Sequence, residues 1–316
     1  MIWRKEKRCE KTDYQWMCLK AIDGSVREIM LHCYNAASKI GYVPKSLKNV
    51  IIAIVYKSKG VRECDNYRGL SMMNSIGKIF EQLLQKRLVK FVEDTGVLPN
   101  TQFGFRAERG TEQAIMMSHI ITEKCRDMGL PLLKGFIDLT KAYDKVNRQV
   151  LYKILERVGV PMGIIKLISG FMDGSTAKVR VKGKLSNSFP LNRGLKQGSI
   201  LSPLLFYIFF GVITTATQMQ LDEEVAKVGS EVVREEIGIE LGFNPNRAGE
   251  ILDNQSFKVK SNSTTFRIID IEYADDMVLF ASTVKGMQLI MTIFARVAAA
   301  FGQELSIKKN RNYGYG

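Results

Sequence analysis

Cysteine is scarce and badly spaced for cross-linking. The chain of 316 residues holds five (Cys9, Cys18, Cys33, Cys64 and Cys125), which leaves one unpaired under any disulfide scheme. None stands in a Cys-x-x-Cys pair, and none lies near both histidines, His32 and His119, in zinc spacing. A disulfide-stapled scaffold and a zinc module are therefore excluded, and the usage suits a reducing compartment. A leader is also missing from view: Met1 Ile2 Trp3 Arg4 Lys5 carries charge with no apolar run behind it. The expectation is an intracellular protein, cytoplasmic or nuclear and not secreted. Acid is in short supply as well, with 32 Asp and Glu against 46 Lys and Arg, a formal charge of +14. That excess sits mostly in residues 1–150, which carry +10 against +4 for the remainder. A polyanion is the natural partner of such a surface.

Charge is absent for long in one stretch only, Gln197–Leu221, whose centre reads Leu204 Leu205 Phe206 Tyr207 Ile208 Phe209 Phe210. Its length permits a membrane span. Ser199, Ser202, Pro203, Thr214, Thr215 and Gln218 favour a buried core helix instead, because polar groups in hydrocarbon each cost several kcal/mol, and no membrane partner is expected. With 46% hydrophobic residues the chain can bury a core, so disorder and fibrous repeats are excluded.

Periodicity then lays out the elements. Residues 1–49 read as a basic extension. Val50–Tyr56 is a continuous β-branched run, expected as a buried strand, followed by the basic loop Lys57–Gly60. A helix is expected over Ser75–Asp94 with Ile76, Phe80, Leu83, Leu84, Leu88 and Phe91 inward, stopped at Gly96. A second spans Thr111–Met128. Leu132–Asp138 reads as a strand and Gln149–Val158 as a helix, which places Asp138 at a strand's carboxyl end. Lys178–Val181 and Leu185–Phe189 flank a hairpin turn at Gly183 Lys184. Pro203 opens the apolar helix, and residues 222–250, with a balance of −5, read as a solvated acidic insertion. From Phe266 to Ala281 a strand, the turn Tyr273 Ala274 Asp275 Asp276 and a second strand follow. A closing helix covers Val284–Phe301. The fold class is α+β, an antiparallel sheet backed by helices.

Asp138 at a strand end and Asp275 at a hairpin tip are carboxylates from distant sequence that could meet above one sheet. Hard oxygen donors of that kind suit Mg²⁺, which keeps waters and takes substrate phosphates as further ligands. Asp276 adjoins Asp275, and since neighbours in an extended segment face opposite ways it is expected to contribute less. An isolated Asp-Asp pair at a turn is more often turn chemistry.

The ordered blocks say more. Asn66 Tyr67 Arg68 Gly69 Leu70 Ser71, Gln102 Phe103 Gly104 Phe105 Arg106, Phe136 Ile137 Asp138 Leu139 Thr140 Lys141 Ala142 Tyr143 Asp144, the segment Gly194–Pro203 and the Tyr-Ala-Asp-Asp turn follow one another across residues 42–310. In this the chain resembles reverse transcriptases, most of all those of non-LTR (LINE-type) retrotransposons. The resemblance implies a right-hand polymerase, with fingers over 50–131 and a palm over 132–316. That palm would hold fingers segments around 145–190 and the acidic insertion at about 218–262.

It also implies RNA-directed DNA polymerisation: dNTPs added to a DNA primer on an RNA template, with two Mg²⁺ ions, or Mn²⁺ in their place, and no small-molecule cofactor. By position, Asp138 and Asp275 match the principal metal ligands, with Asp276 beside them. Tyr143 matches the residue that stacks beneath the incoming sugar and blocks a 2′-OH; its bland alternative is a core tyrosine. Gln197 and Gly198 match the segment against the incoming nucleotide, and Arg68 and Lys57 the positions that hold its triphosphate, with Lys59 an equal candidate to Lys57. Arg106 matches a template-backbone contact, and Lys309 the group placed to protonate pyrophosphate. Asp144 is given a structural role.

No thumb, endonuclease or Cys/His region is legible, so the chain reads as a fragment. The alternatives are a non-catalytic RNA-binding remnant, a group II intron maturase or a viral RNA replicase.

Overall fold

The computed structural model describes residues 24–57, 66–104, 106, 109–228, 236–243, 264–306 and 312–313. In chain order its helices are α1 (Gly24–Ile40), α2 (Lys45–Lys48), α3 (Ser75–Thr95), α4 (Thr111–Asp127), α5 (Ala142–Lys145), α6 (Arg148–Arg157), α7 (Met162–Met172), α8 (Ser202–Val228) and α9 (Val284–Ala300). The strands are β1 (Val50–Tyr56), β2 (Tyr67–Met73), β3 (Leu133–Ile137), β4 (Thr176–Val181), β5 (Lys184–Leu185), β6 (Phe189–Pro190), β7 (Ile239–Phe243), β8 (Thr264–Ile268), β9 (Asp270–Tyr273), β10 (Asp276–Ala281) and β11 (Asn312–Tyr313).

The chain forms two compact units, residues 1–97 with 143–206 and residues 98–142 with 207–316. The stretch 98–131, read from sequence as part of the fingers, clusters with the second unit. The reason is packing: α4 buries Ala114, Ile121 and Cys125 in one cluster with Ile271, Val278 and Phe280.

In the first unit β1 takes up the apolar run Val50–Tyr56, pairing antiparallel with β2 and parallel with β4. Burial of that strand is partial, contrary to expectation. Val50 is inside, but Ile54, Val55 and Tyr56 are exposed, because β4 accompanies β1 only as far as Ala53. The β4–β5 turn is Lys182 Gly183, one residue earlier than read, and both have positive φ (47° and 79°) as a two-residue type I′ hairpin requires. Helix α3 starts at Asn74, whose side chain accepts from the Ile76 N–H, and stops at Gly96 with φ 63°. Its buried stripe is Phe80, Leu84, Leu88 and Val92, spaced by four; Ile76 and Leu83, expected inside, are each 40% exposed. The helix is rotated from the apolar reading so that Glu81 turns inward.

The second unit is built on the sheet β11-β3-β10-β9 with a separate β7–β8 pair. Helix α8 is long and apolar enough to cross a membrane, yet Leu204 to Phe210 are at most 4% exposed and lie inside the protein. The hydroxyls of buried Thr214 and Thr217 donate to carbonyls one turn back in the same helix, which removes the cost of burying them. Helix α9 buries Met287, Ile290, Phe294, Val297 and Ala298. The single strand read before the Tyr-Ala-Asp-Asp turn is two: β8 pairs with β7, and β9 with β10. Part of the acidic segment is ordered structure, since α8 continues through Asp222–Glu224 and Ile239–Phe243 forms β7.

Candidate active site

Strand register brings the aspartates of the second unit together. The β10–β3 ladder ends at Met277 opposite Ile137, and Asp276 and Asp138 are the next residues beyond that pair on their two segments. Opposed residues of a ladder, such as Val278 and Phe136, point to one face. Lys134, Phe136 and Asp138 share that face with Asp276, Val278, Ile271 and Tyr273, and these residues line one cavity of about 790 Å³ together with α4. Asp276 belongs to β10 and pairs with Tyr273 of β9, while Ala274 and Asp275 form the turn between them. Ala274 sits at φ 62°, the left-handed conformation that a two-residue turn imposes.

Backbone bonds hold Asp138 in place. Its carbonyl accepts from Ser306 N at 2.8 Å, Thr140 N donates to Glu304 O at 2.8 Å, and Leu139 bridges Leu305 between them. The chain leaving α9 therefore clamps the end of β3. Lys309 falls outside the described residues.

The turn is braced from the opposite sheet face by the Gln102–Gly104 loop. Phe103 N donates to Glu272 O at 2.9 Å, and Glu272 N to Thr101 O at 2.9 Å. The Gln102 side chain spans both parts: its Nε2 donates to Glu272 Oε2 at 2.8 Å and its Oε1 accepts from Gly104 N at 2.8 Å. A Cβ on Gly104 would stand 2.8 Å from Ala274 N, so glycine is what lets this loop lie against the turn. Arg106, read as a template contact, is half-buried and donates to Pro99 O at 3.2 Å, closing the same loop. Phe105 is outside the described residues.

Glu272 and its neighbour Asp270 are buried carboxyls that the sequence reading passed over. The available signal was acid in an otherwise apolar strand. Burial, and then the charge of Asp270, push the Glu272 carboxyl well above the usual carboxylate range. Because its folded value is raised, the stability it contributes is whole at low pH and is lost as pH rises from about 4.5 through the folded value. Glu272→Gln mimics the neutral acid. In urea titrations at pH 5 and pH 8 the parent should lose more stability with rising pH than this variant, and equal losses would remove the assignment of a protonated Glu272.

The first unit gathers the remaining predicted residues. Tyr143, on α5, stacks on Phe206 with ring centroids 4.7 Å apart and planes 13° apart. Segment 194–198 docks on α5 at one end, where Leu195 N donates to Tyr143 O at 2.8 Å, and on the edge of β2 at the other, where Ser71 N donates to Gln197 O at 2.6 Å. Gln197 Nε2 donates to Asp144 Oδ1 at 3.2 Å, so Asp144 orients the very side chain read as functional. Gly198 has φ 111°, and a Cβ there would lie 2.7 Å from Ser71 O. Arg68 faces Val55 in the β1–β2 ladder, and Lys57, whose N donates to Asn66 O, follows two residues after Val55. Arg68 and Lys57 therefore lie on one side of the ladder, both exposed. Lys59 is outside the described residues.

Residues 55–313 match the family model for reverse transcriptase (RNA-dependent DNA polymerase). The RNA-directed DNA polymerase from the mobile element jockey of Drosophila melanogaster is 31% identical over 194 residues, 60% of this chain and 21% of that protein. The Pol polyprotein of the type-2 retrotransposable element R2DM, from the same organism, is 22% identical over 281 residues, 89% of this chain and 23% of that protein. The chain thus spans about a fifth of the length of these relatives, and the resemblance to the non-LTR retrotransposon type stands.

Among solved structures, Candida tropicalis telomerase truncated from its C-terminal domain superposes with a TM-score of 0.55 at 13% identity, covering 90% of this chain and 55% of that one. Candida albicans telomerase in complex with a fragment of telomeric RNA gives 0.52 at 12% identity, over 89% and 45%. These likenesses establish the α+β right-hand polymerase fold. With most of its length matching the family model, the chain belongs to the reverse transcriptase (RNA-dependent DNA polymerase) family.

Proposed function

We propose that this chain is the polymerising part of a retrotransposon enzyme that adds dNTPs to a DNA primer 3′-OH on an RNA template. The observation that carries the reading is that Asp138 and Asp276, at neighbouring ends of the two central strands β3 and β10, line one cavity, with Asp275 in the adjoining turn. The family works with divalent metal ions. Here the hard carboxylate oxygens of Asp138 and Asp276 line one cavity and suit Mg²⁺, while among the described residues Asp275 does not complete a three-carboxylate cluster with them. That shortage matches an ion whose other ligands are waters and substrate phosphates. Bound there, two such ions would stabilise the attacking and leaving oxygens of an in-line phosphoryl displacement.

The chain's own residues handle the nucleotide. Arg68 offers a planar fork of donors and Lys57 a point charge to a triphosphate, on the same side of one ladder. Gly198 allows close backbone approach, and Gln197 is oriented by Asp144. Tyr143, held flat on Phe206, presents a ring of fixed orientation beneath the sugar, which a 2′-OH would strike.

Mg²⁺-dependent extension of a DNA primer on RNA tests the reading; salt-sensitive RNA binding without any extension would leave only a nucleic-acid-binding remnant. Tyr143→Ala should raise rNTP incorporation relative to dNTP by about tenfold or more, since a pocket that merely tolerates an added hydroxyl discriminates weakly. Unchanged discrimination removes the gate role.

A further inference from the structure

The loop that carries Gln197 and Gly198 is flanked by two buried residues whose charges the proposed chemistry does not use. Lys196 is 4% exposed, and its Nζ donates at 2.7 Å to Lys48 O and at 2.7 Å to Phe171 O, carbonyls in the last turns of α2 and α7. A cation is favoured at such helix ends. Glu81, on α3, is 2% exposed; its Oε2 accepts from Ser199 Oγ at 2.8 Å and from Ile200 N at 3.0 Å. Arg148 fastens the loop's start to the same end of α7, donating to Gly194 O and Met172 O, each at 2.8 Å. Residues 196 and 199 are thus anchored on either side of the two that face the nucleotide.

We infer that Lys196 and Glu81 are positioning residues of the nucleotide site, a buried opposite-charge brace that sets where the Gln197–Gly198 backbone lies along β2. The inference rests on the polymerase reading above and goes beyond it, since neither residue reaches substrate. Burial draws the Lys196 ammonium down to about 8 and pushes the Glu81 carboxyl up, while each one's charge opposes the other's shift. Removing one partner leaves the other buried and uncompensated; removing both does not.

The test uses the 316-residue chain with Lys196→Met, Glu81→Gln, the double variant, and Lys90→Met as a control on the exposed side of α3. Glu81→Gln keeps size and an acceptor for Ser199 and Ile200, so it should fold. Each single change should raise KM for dNTP by about tenfold with a smaller fall in kcat, as expected of an ångström-scale displacement. The double variant should recover part of that loss, and the control should match the parent. Unchanged KM in both single variants, or a fall in kcat alone, overturns the inference.

A second readout needs no catalysis. Hydrogen exchange at the Ser71 amide, bonded to Gln197 O, should quicken in the single variants and not in the control. If the parent incorporates no nucleotide, the polymerase reading fails by itself. The exchange then decides the brace: faster Ser71 exchange upholds it and unchanged exchange overturns it.

Discussion

Asp138→Asn should cut Mg²⁺-dependent primer extension by about 10³-fold, with little change in fold. The magnitude follows from losing a charged oxygen donor at a site whose ions supply several kcal/mol of charge stabilisation, at 1.36 kcal/mol for each tenfold in rate. The fold is spared because β3 is held at this position by main-chain groups, the Asp138 carbonyl to Ser306 N above all. Asp276→Asn removes the other carboxylate that lines the cavity, and Asp275→Asn the carboxylate in the turn. Both should lose extension by comparable factors while binding RNA as the parent does. A primer-extension series run at one salt concentration, with circular dichroism on each variant, makes the measurement. If any of the three extends as well as the parent, that residue is not a metal ligand.

Gly194→Ala should damage the first unit severely for a single added methyl group. The residue sits at φ 76°, and a Cβ there would stand 2.7 Å from Asp144 O and 2.9 Å from Asp144 Cα, main-chain atoms of α5 that cannot swing aside. Left-handed strain and overpacking together should cost about 3 kcal/mol. The relief available is to push α5 away, which carries Tyr143 with it, so KM for dNTP should rise in the molecules that fold. Gly96→Ala is the matched comparison, with a similar φ of 63° but open space where the Cβ would go. It should cost about 1 kcal/mol, the conformational part alone. Urea denaturation of both variants isolates the contact; equal losses would mean that segment 194–198 does not lean on α5 as described.

Much of the architecture was legible because it rests on local rules. The apolar run Val50–Tyr56 is a strand to the residue, and α3, α4, α6 and α9 begin and end within a residue or two of their caps and glycines. What failed, failed for non-local reasons. Ile76 and Leu83 fit the apolar stripe of α3 but are exposed, because Glu81 is drawn inward by Ser199 and Ile200, over a hundred residues away in sequence. The run Ile268–Ile271 looks continuous, yet it divides because its two parts answer to different partner strands.

By itself the sequence determined the elements, the family and the identity of the chemical groups, since hydrophobic period, capping residues and ordered motifs are properties of neighbouring residues. Only the tertiary structure decided that Asp276 rather than the turn residue Asp275 shares a cavity wall with Asp138, that Gln102 ties its loop to Glu272, and that Asp144 serves Gln197. Each of these depends on register between strands or on loops meeting across long separations. A shift of one residue in β10 would send Asp276 to the other face without altering a single local preference.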